Sequence, residues 1–273
     1  APQDVKNEPI TLNDEEPYHI HDIYRLRRSE TSKTRAILLC NPSNPTGTVY
    51  TESELDAVAQ IAVEHDLFVI CDEVYREFVF GAGDVRSFTR YSDLAQRIIV
   101  VDSVSKRFNA CGVRIGCLAT KNREVLDVTL RFCQARLSVA TAEQLMVVPM
   151  LREGRAYSER LCIEYEKRRD AVYAGLKLLD GVTPHLSEGS FYTMTRLPIT
   201  SCEDFAAWLL KDYSLEGRTI CLAPGEGFYV TSGLGVDEVR IAFVYDADTL
   251  TRAWKFLGAA GSAEGGGGGG GGW

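Results

Sequence analysis

Three short segments of this chain carry side chains suited to covalent and anion chemistry, and each follows an apolar run. Asn41-Pro42-Ser43-Asn44-Pro45-Thr46-Gly47 follows Ile37-Leu38-Leu39-Cys40, and Asp72-Glu73-Val74-Tyr75 follows Phe68-Val69-Ile70-Cys71. Ser103-Val104-Ser105-Lys106 follows Ile98 to Val101, with Arg114 eight residues past the lysine. Taken singly, each has a plain structural reading. Two X-Pro bonds and a glycine suit any tight turn, an aspartate after a strand suits a helix cap, and a lone lysine is usually a solvated one. Arg114 is different, because it lies in the apolar run Val113 to Ala119 and a charge inside a strand needs a partner.

The elements that must position these groups follow from periodicity. The runs at 37–40, 68–71 and 98–101 are apolar throughout, 113–119 is apolar apart from Arg114, and all alternate with helical patterns. One such helix opens on Thr51-x-x-Glu54, a capping box, and repeats Leu55, Val58, Ala59 and Ala62 on one face. Strands apolar on both sides, separated by helices, predict an α/β fold with a mostly parallel sheet flanked by helices and covered on both faces. In such a sheet ligands bind outside the carboxyl ends of the strands, which is where the three segments fall.

From about residue 142 to 179 the pattern is helical and charged, with Pro149 and Gly154 marking a break. The boundary between a first domain, residues 1–150, and a smaller α+β domain, residues 151–260, is placed there. The second domain is expected to hold a strand at Phe191 to Leu197 and a helix opened by Ser201-x-x-Asp204. Strands near Ile220 and at Val239 to Val244 follow, then a last helix with Leu250, Ala253, Trp254 and Leu257 on one face. Residues 261–273, with eight consecutive glycines, read as a linker or tag.

The chain has 273 residues, and 38 acidic against 30 basic side chains give a formal charge of -8, which disfavours nucleic acid as a partner. No apolar stretch of about 18 residues and no secretion signal are visible, so no membrane partner is expected and the cytoplasm is the default location. Eight scattered cysteines show neither C-x-x-C nor a Cys/His ligand spacing. They read as small buried hydrophobes, and no metal site is expected.

A lysine that forms an imine needs a neutral amine near pH 7, which partial desolvation and a neighbouring cation supply; Arg114 is the candidate cation. Imine lysine, aspartate, hydroxyl and arginine together match what pyridoxal phosphate requires: a Schiff base, an anion for the pyridine nitrogen, and phosphate anchors. The motifs N-P-S-N-P-T-G (41–47), D-E-V-Y (72–75), S-V-S-K (103–106), G-V-R-I-G (112–116) and E-V-R-I-A-F (238–243) stand in a fixed order. In this the chain resembles, from about Tyr18 to Leu257, the fold type I pyridoxal-phosphate enzymes, and among them class I/II aminotransferases of the aspartate aminotransferase group.

That resemblance implies that Lys106 forms the internal aldimine and moves the proton between substrate and cofactor. It implies that Asp72 pairs with the pyridine nitrogen, that Asn44 and Tyr75 bond the phenolic oxygen, and that Ser103, Ser105 and Arg114 hold the phosphate. Arg240 corresponds to the arginine that grips the substrate carboxylate, a role suited to its bidentate fork. Gly189-Ser190-Phe191-Tyr192 resembles the family's strand start beside the substrate and equally suits core packing. Arg136 falls near a position from which a partner subunit recognises a dicarboxylate.

The implied activity is transfer of an amino group from an amino acid, aspartate first, to a 2-oxo acid such as 2-oxoglutarate, in a homodimer. A carbon-sulfur β-lyase or a decarboxylase of the same fold would keep the same motifs. So would a non-catalytic aminotransferase-like regulatory module. The resemblance also implies that this chain lacks the family's amino-terminal third, which holds a phosphate loop and an aromatic that stacks on the cofactor.

Overall fold

The computed structural model describes residues 18–20, 26–27, 31–81 and 85–264. Strands β1 (Ala36–Cys40), β2 (Phe68–Asp72) and β3 (Ile98–Ser103) run parallel in that order, and β4 (Gly116–Ala119) closes the edge antiparallel to β3. Register pairs Cys40 with Asp72 and Asp72 with Val101, so the carboxyl ends of the three parallel strands lie level. Helix α1 (Glu52–Glu64) starts at the expected capping box: Thr51 N–H donates to Glu54 Oε2 at 2.7 Å and Glu54 N–H to Thr51 Oγ1 at 3.3 Å. Its Leu55, Val58 and Ile61 pack on Val69, Cys71, Ile98 and Val100, each fully buried side chain contributing about 1.5–3 kcal/mol.

Cover on both faces is not what the described residues provide. Leu38 is 72% exposed and β4 is mostly exposed. Helix α2 (Val104–Arg107) is a single turn after β3; α3 (Arg123–Arg136) buries no residue, and α4 (Thr141–Glu153) buries only Val147. Apolar strand composition anticipates a covering layer, but one face of this sheet is left open among the described residues.

The break in the central helical stretch is at Gly154 alone. Pro149 is carried inside α4, whereas Gly154, at φ 64° and ψ −147°, adopts a backbone region that side chains exclude and separates α4 from α5 (Arg155–Leu176). A second, antiparallel sheet follows in the order β5 (Thr183–Pro184), β6 (Tyr192–Arg196), β8 (Glu238–Ala242), β7 (Ala223–Pro224). The strand expected near Ile220 thus falls three to four residues later. Helix α6 (Cys202–Lys211) is capped by Ser201, which accepts from Asp204 N–H at 3.2 Å, and α7 (Ala247–Glu264) ends the described chain. Leu176, Phe205, Leu209, Val239, Phe243 and Leu257 form the centre of this closed core.

The halves are tied together. Phe78, three residues beyond the Asp-Glu-Val-Tyr segment, sits in the second core edge-on to Phe191 and Tyr165. Gly47 carbonyl accepts from Glu188 N–H at 3.0 Å and Gly189 N–H at 2.8 Å. His19 bridges Glu54 of α1 and Glu188, with each ring nitrogen 3.1 Å from a carboxylate oxygen. Hydrogen bonds to Glu188 and Glu54 push the imidazole pKa up to about 10. Burial works to raise the Glu54 pKa, but bonds from His19 and Thr51 prevail and bring it down to about 2.

All eight cysteines are free, and they are not uniformly interior: Cys71 and Cys202 are buried, whereas Cys111, Cys117, Cys133 and Cys221 are exposed. Cys117 on β4 and Cys133 on α3 face outward because those elements lack a covering layer. No described helix is long and apolar enough to cross a membrane.

Candidate active site

The turn after β1 folds back on itself. The Asn41-Pro42 and Asn44-Pro45 peptide bonds are cis, Asn41 Oδ1 accepts from Tyr50 N–H at 3.0 Å, and Ser43 N–H donates to the Thr48 carbonyl at 2.9 Å. Gly47 has φ +76°, and a Cβ there would lie 2.5 Å from Ser187 Oγ and 2.6 Å from the Tyr192 carbonyl. Only glycine lets this turn press against the start of β6, and the outcome is that Asn44 faces solvent at the strand ends.

Asp72 is the last residue of β2, and its Oδ1 accepts from Val74 N–H at 3.0 Å. Beside it, burial pushes the Cys40 thiol up to about 12, with the Asp72 charge adding in the same direction. Tyr75 is 3% exposed, packs edge-on to Phe191 at 5.1 Å, and its hydroxyl lies 3.4 Å from that of Tyr192. Burial, then the bond to Tyr192, drives the Tyr75 phenol far above its ordinary range, so it stays neutral.

Ser103 ends β3 and caps α2, accepting from Ser105 N–H at 3.0 Å; its Oγ lies 2.8 Å from Ser105 Oγ and 2.9 Å from the Ile115 carbonyl oxygen. Lys106, in the same helical turn, directs its amine at an aromatic wall. Nζ is 5.5 Å from the Phe191 ring centre and 5.9 Å from that of Tyr75, with Cys111 Sγ at 3.9 Å.

Arg114 is not a strand residue. It occupies a left-handed turn at φ 59° and ψ 39° just before β4, is exposed, and donates from Nη1 to the Cys111 carbonyl at 2.9 Å. Exposure removes the need for a buried counter-charge. Arg240, in the middle of β8, has its guanidinium 4.4 Å from the Tyr192 ring centre and 4.8 Å from that of Phe228. Nη1 donates to Asn44 Oδ1 at 3.0 Å across 196 positions of sequence, while the buried Nε has no acceptor.

Contacts therefore run from Lys106 through Tyr75 and Tyr192 to Arg240 and on to Asn44. Asp72 joins them at the end of β2, Ser103 and Ser105 form a pair at the end of β3, and Arg114 stands at the rim. Arg136 lies exposed at the end of α3. Phe228 carries no sequence signal beyond its place in the glycine-rich stretch Gly225-Glu226-Gly227-Phe228, which has no helical or strand period.

The sequence pattern of the family described as Aminotransferase class I and II matches residues 9–257. The chain belongs to this family. Aromatic-amino-acid aminotransferase 2 of Thermococcus litoralis is 31% identical over 84% of this chain and 57% of its own length. Aspartate aminotransferase of Musicola paradisiaca is 30% identical over 84% of this chain and 56% of its own. Among solved structures, the aromatic aminotransferase from Pyrococcus horikoshii superposes with a TM-score of 0.81 at 27% identity, over 93% of this chain and 66% of that one. The chain thus spans a little over half the length of these curated relatives.

Class I and II aminotransferases use pyridoxal phosphate. The donor set of this aminotransferase chain fits that group. A carboxylate, a neutral buried phenol and an amine follow the carboxyl ends of β2 and β3, with paired hydroxyls and a guanidinium beside β3. The buried Nε–H of a second guanidinium, Arg240, has no acceptor.

Proposed function

We propose that the protein containing this chain transfers an amino group from an amino acid to a 2-oxo acid, with pyridoxal phosphate held by the residues gathered above. Aspartate as donor and 2-oxoglutarate as acceptor, in a homodimer, are its specific form. The observation that carries the reading is the guanidinium of Arg240. It is bound by Asn44, has a buried Nε without an acceptor, and stands at the far end of a contact chain from the Lys106 amine. A planar fork in that position takes a carboxylate bidentately and fixes how the rest of an amino acid lies toward Lys106.

Bound pyridoxal phosphate supplies an electron sink that stabilises negative charge at the substrate α-carbon. Lys106 is the residue in reach to hold and return the proton at that carbon. Asp72 supplies a negative charge for a protonated ring nitrogen, and Tyr75 and Asn44 supply hydrogen bonds at the ring's phenolic oxygen. Ser103, Ser105 and Arg114 are the groups for the phosphate. Phe191 and the Tyr75 ring wall one side of the amine.

The test is direct. The intact protein mixed with pyridoxal phosphate should show the absorption band of the lysine-bound cofactor, and borohydride should fix the cofactor to the peptide bearing Lys106. A donor screen with 2-oxoglutarate should give turnover, and Lys106→Ala should lower it by at least about a thousandfold. Absence of the band together with no modification at Lys106 would refute the proposal.

A further inference from the structure

Arg240 is flanked by two aromatic rings from different elements. Tyr192 lies on β6, where Met194 pairs with Arg240 and Tyr192 with Ala242, so Tyr192 and Arg240 are diagonal neighbours on one face of the sheet. Phe228 comes from the short helical turn Glu226–Phe228 after β7. That turn is pinned by Gly225, whose N–H donates to the Glu238 carbonyl at 2.8 Å and where a Cβ would lie 2.5 Å from the same oxygen. Glycine at 225 is what lets the segment ride on β8 closely enough for Phe228 to reach the guanidinium. With ring centres at 4.4 and 4.8 Å, both aromatics are in contact with the guanidinium.

The remaining donors then decide geometry. Nη1 is committed to Asn44 at 3.0 Å and Nε is buried without an acceptor, so the Nε–Nη2 edge is the one whose donors remain for a ligand. We infer that Tyr192 and Phe228 are positioning residues that clamp Arg240, so that a substrate carboxylate docks side-on across Nε and Nη2. The inference rests on the reading of Arg240 as the carboxylate anchor and adds what holds it. Neither ring touches the reacting atoms on this account. Each contributes through the plane of the guanidinium and through cation–π attraction, worth about 0.5–1 kcal/mol when exposed and about 2 when desolvated.

The test uses the intact protein carrying pyridoxal phosphate, labelled with 15N-arginine, with 2-oxoglutarate as probe. The Arg240 Nε–H signal is assigned by its loss in Arg240→Lys. In the wild type it should be shifted upfield by the flanking rings and should move downfield as 2-oxoglutarate binds. In Phe228→Leu the upfield displacement should shrink, affinity for 2-oxoglutarate should fall roughly three- to tenfold, and the KM for amino donor should rise similarly with kcat within about twofold. Phe228→Tyr, which keeps the ring, should restore all three.

A wild-type signal indifferent to 2-oxoglutarate would overturn the anchor assignment and the clamp with it. A signal that responds in the wild type and binds the probe equally well in Phe228→Leu would overturn the clamp alone. Since Phe228 is 40% exposed, its replacement should leave the thermal midpoint near that of the wild type.

Discussion

The two sheets of this chain are built to different degrees of closure. The β5-β6-β8-β7 sheet lies against α5, α6 and α7 around Phe205, Leu209 and Leu257, all of them wholly buried. The β1-β2-β3-β4 sheet has α1 on one face and, among the described residues, little on the other. The candidate site sorts along the same line. Arg240, Tyr192 and Phe191 belong to the closed sheet and hold one another through contacts between distant parts of the sequence. Ser103, Ser105 and Arg114 stand at and just beyond strands of the open sheet, and their side-chain bonds among the described residues are local, to Ile115, to each other and to Cys111. Long-range contacts fix a side chain against several independent neighbours, whereas local ones fix it no better than its own turn.

Paired substitutions break that contrast or sharpen it. Phe205→Ala, in the closed core, should cost about 3–5 kcal/mol in denaturant unfolding, while Phe132→Ser on the exposed face of α3 should stay within about 0.5 kcal/mol. A Phe132→Ser cost that appears only at high protein concentration would show that a second molecule covers that face. Next in size, Arg240→Leu removes a charge-assisted bond worth about 1.5–3 kcal/mol and should raise the donor KM by roughly 10- to 150-fold. Arg114→Leu, at an exposed position, should weaken cofactor affinity only a few-fold, by about 1 kcal/mol or less. Equal losses at the two arginines would mean that position 114 is enclosed in solution.

A pH-dependent effect is expected at the tie between the halves. His19 is raised above its unfolded value of 6.5 to about 10, so its contribution is complete below about pH 6.5 and fades as pH rises through 10. Glu54 is lowered from 4.5 to about 2, so its contribution is complete above about pH 4.5 and fades as pH falls through 2. Unfolding midpoints measured from pH 3 to 10 should show the largest gap between wild type and His19→Gln between about pH 4.5 and 6.5, narrowing toward both ends. A gap independent of pH would assign His19 a packing role only.

Much of this architecture could be read from the residues. The capping box at Thr51 and Glu54, the apolar strand runs at 68–71 and 98–101, and the helix cap at Ser201 are local signals with local causes, and they stand where the pattern put them. What escaped depends on tertiary surroundings. Arg114 lies in an apolar run, yet its left-handed backbone is set by the turn that reverses the chain into β4. Pro149 looks like a helix breaker, but Gly154 is where the backbone leaves helical space. Exposed Cys117 and Cys133 follow from an open sheet face that composition alone does not reveal. Phe228 earns its place beside Arg240 through the close approach of Gly225 to Glu238, a contact with no echo in local spacing.

The enclosed phenol at position 75 has a consequence for any molecule that lies against it. Because that oxygen keeps its hydrogen through mildly alkaline conditions, it can only give a hydrogen bond to an electron-rich neighbour and never repel one as phenolate. A mildly basic assay buffer therefore leaves this phenol in its neutral, hydrogen-bond-donating form.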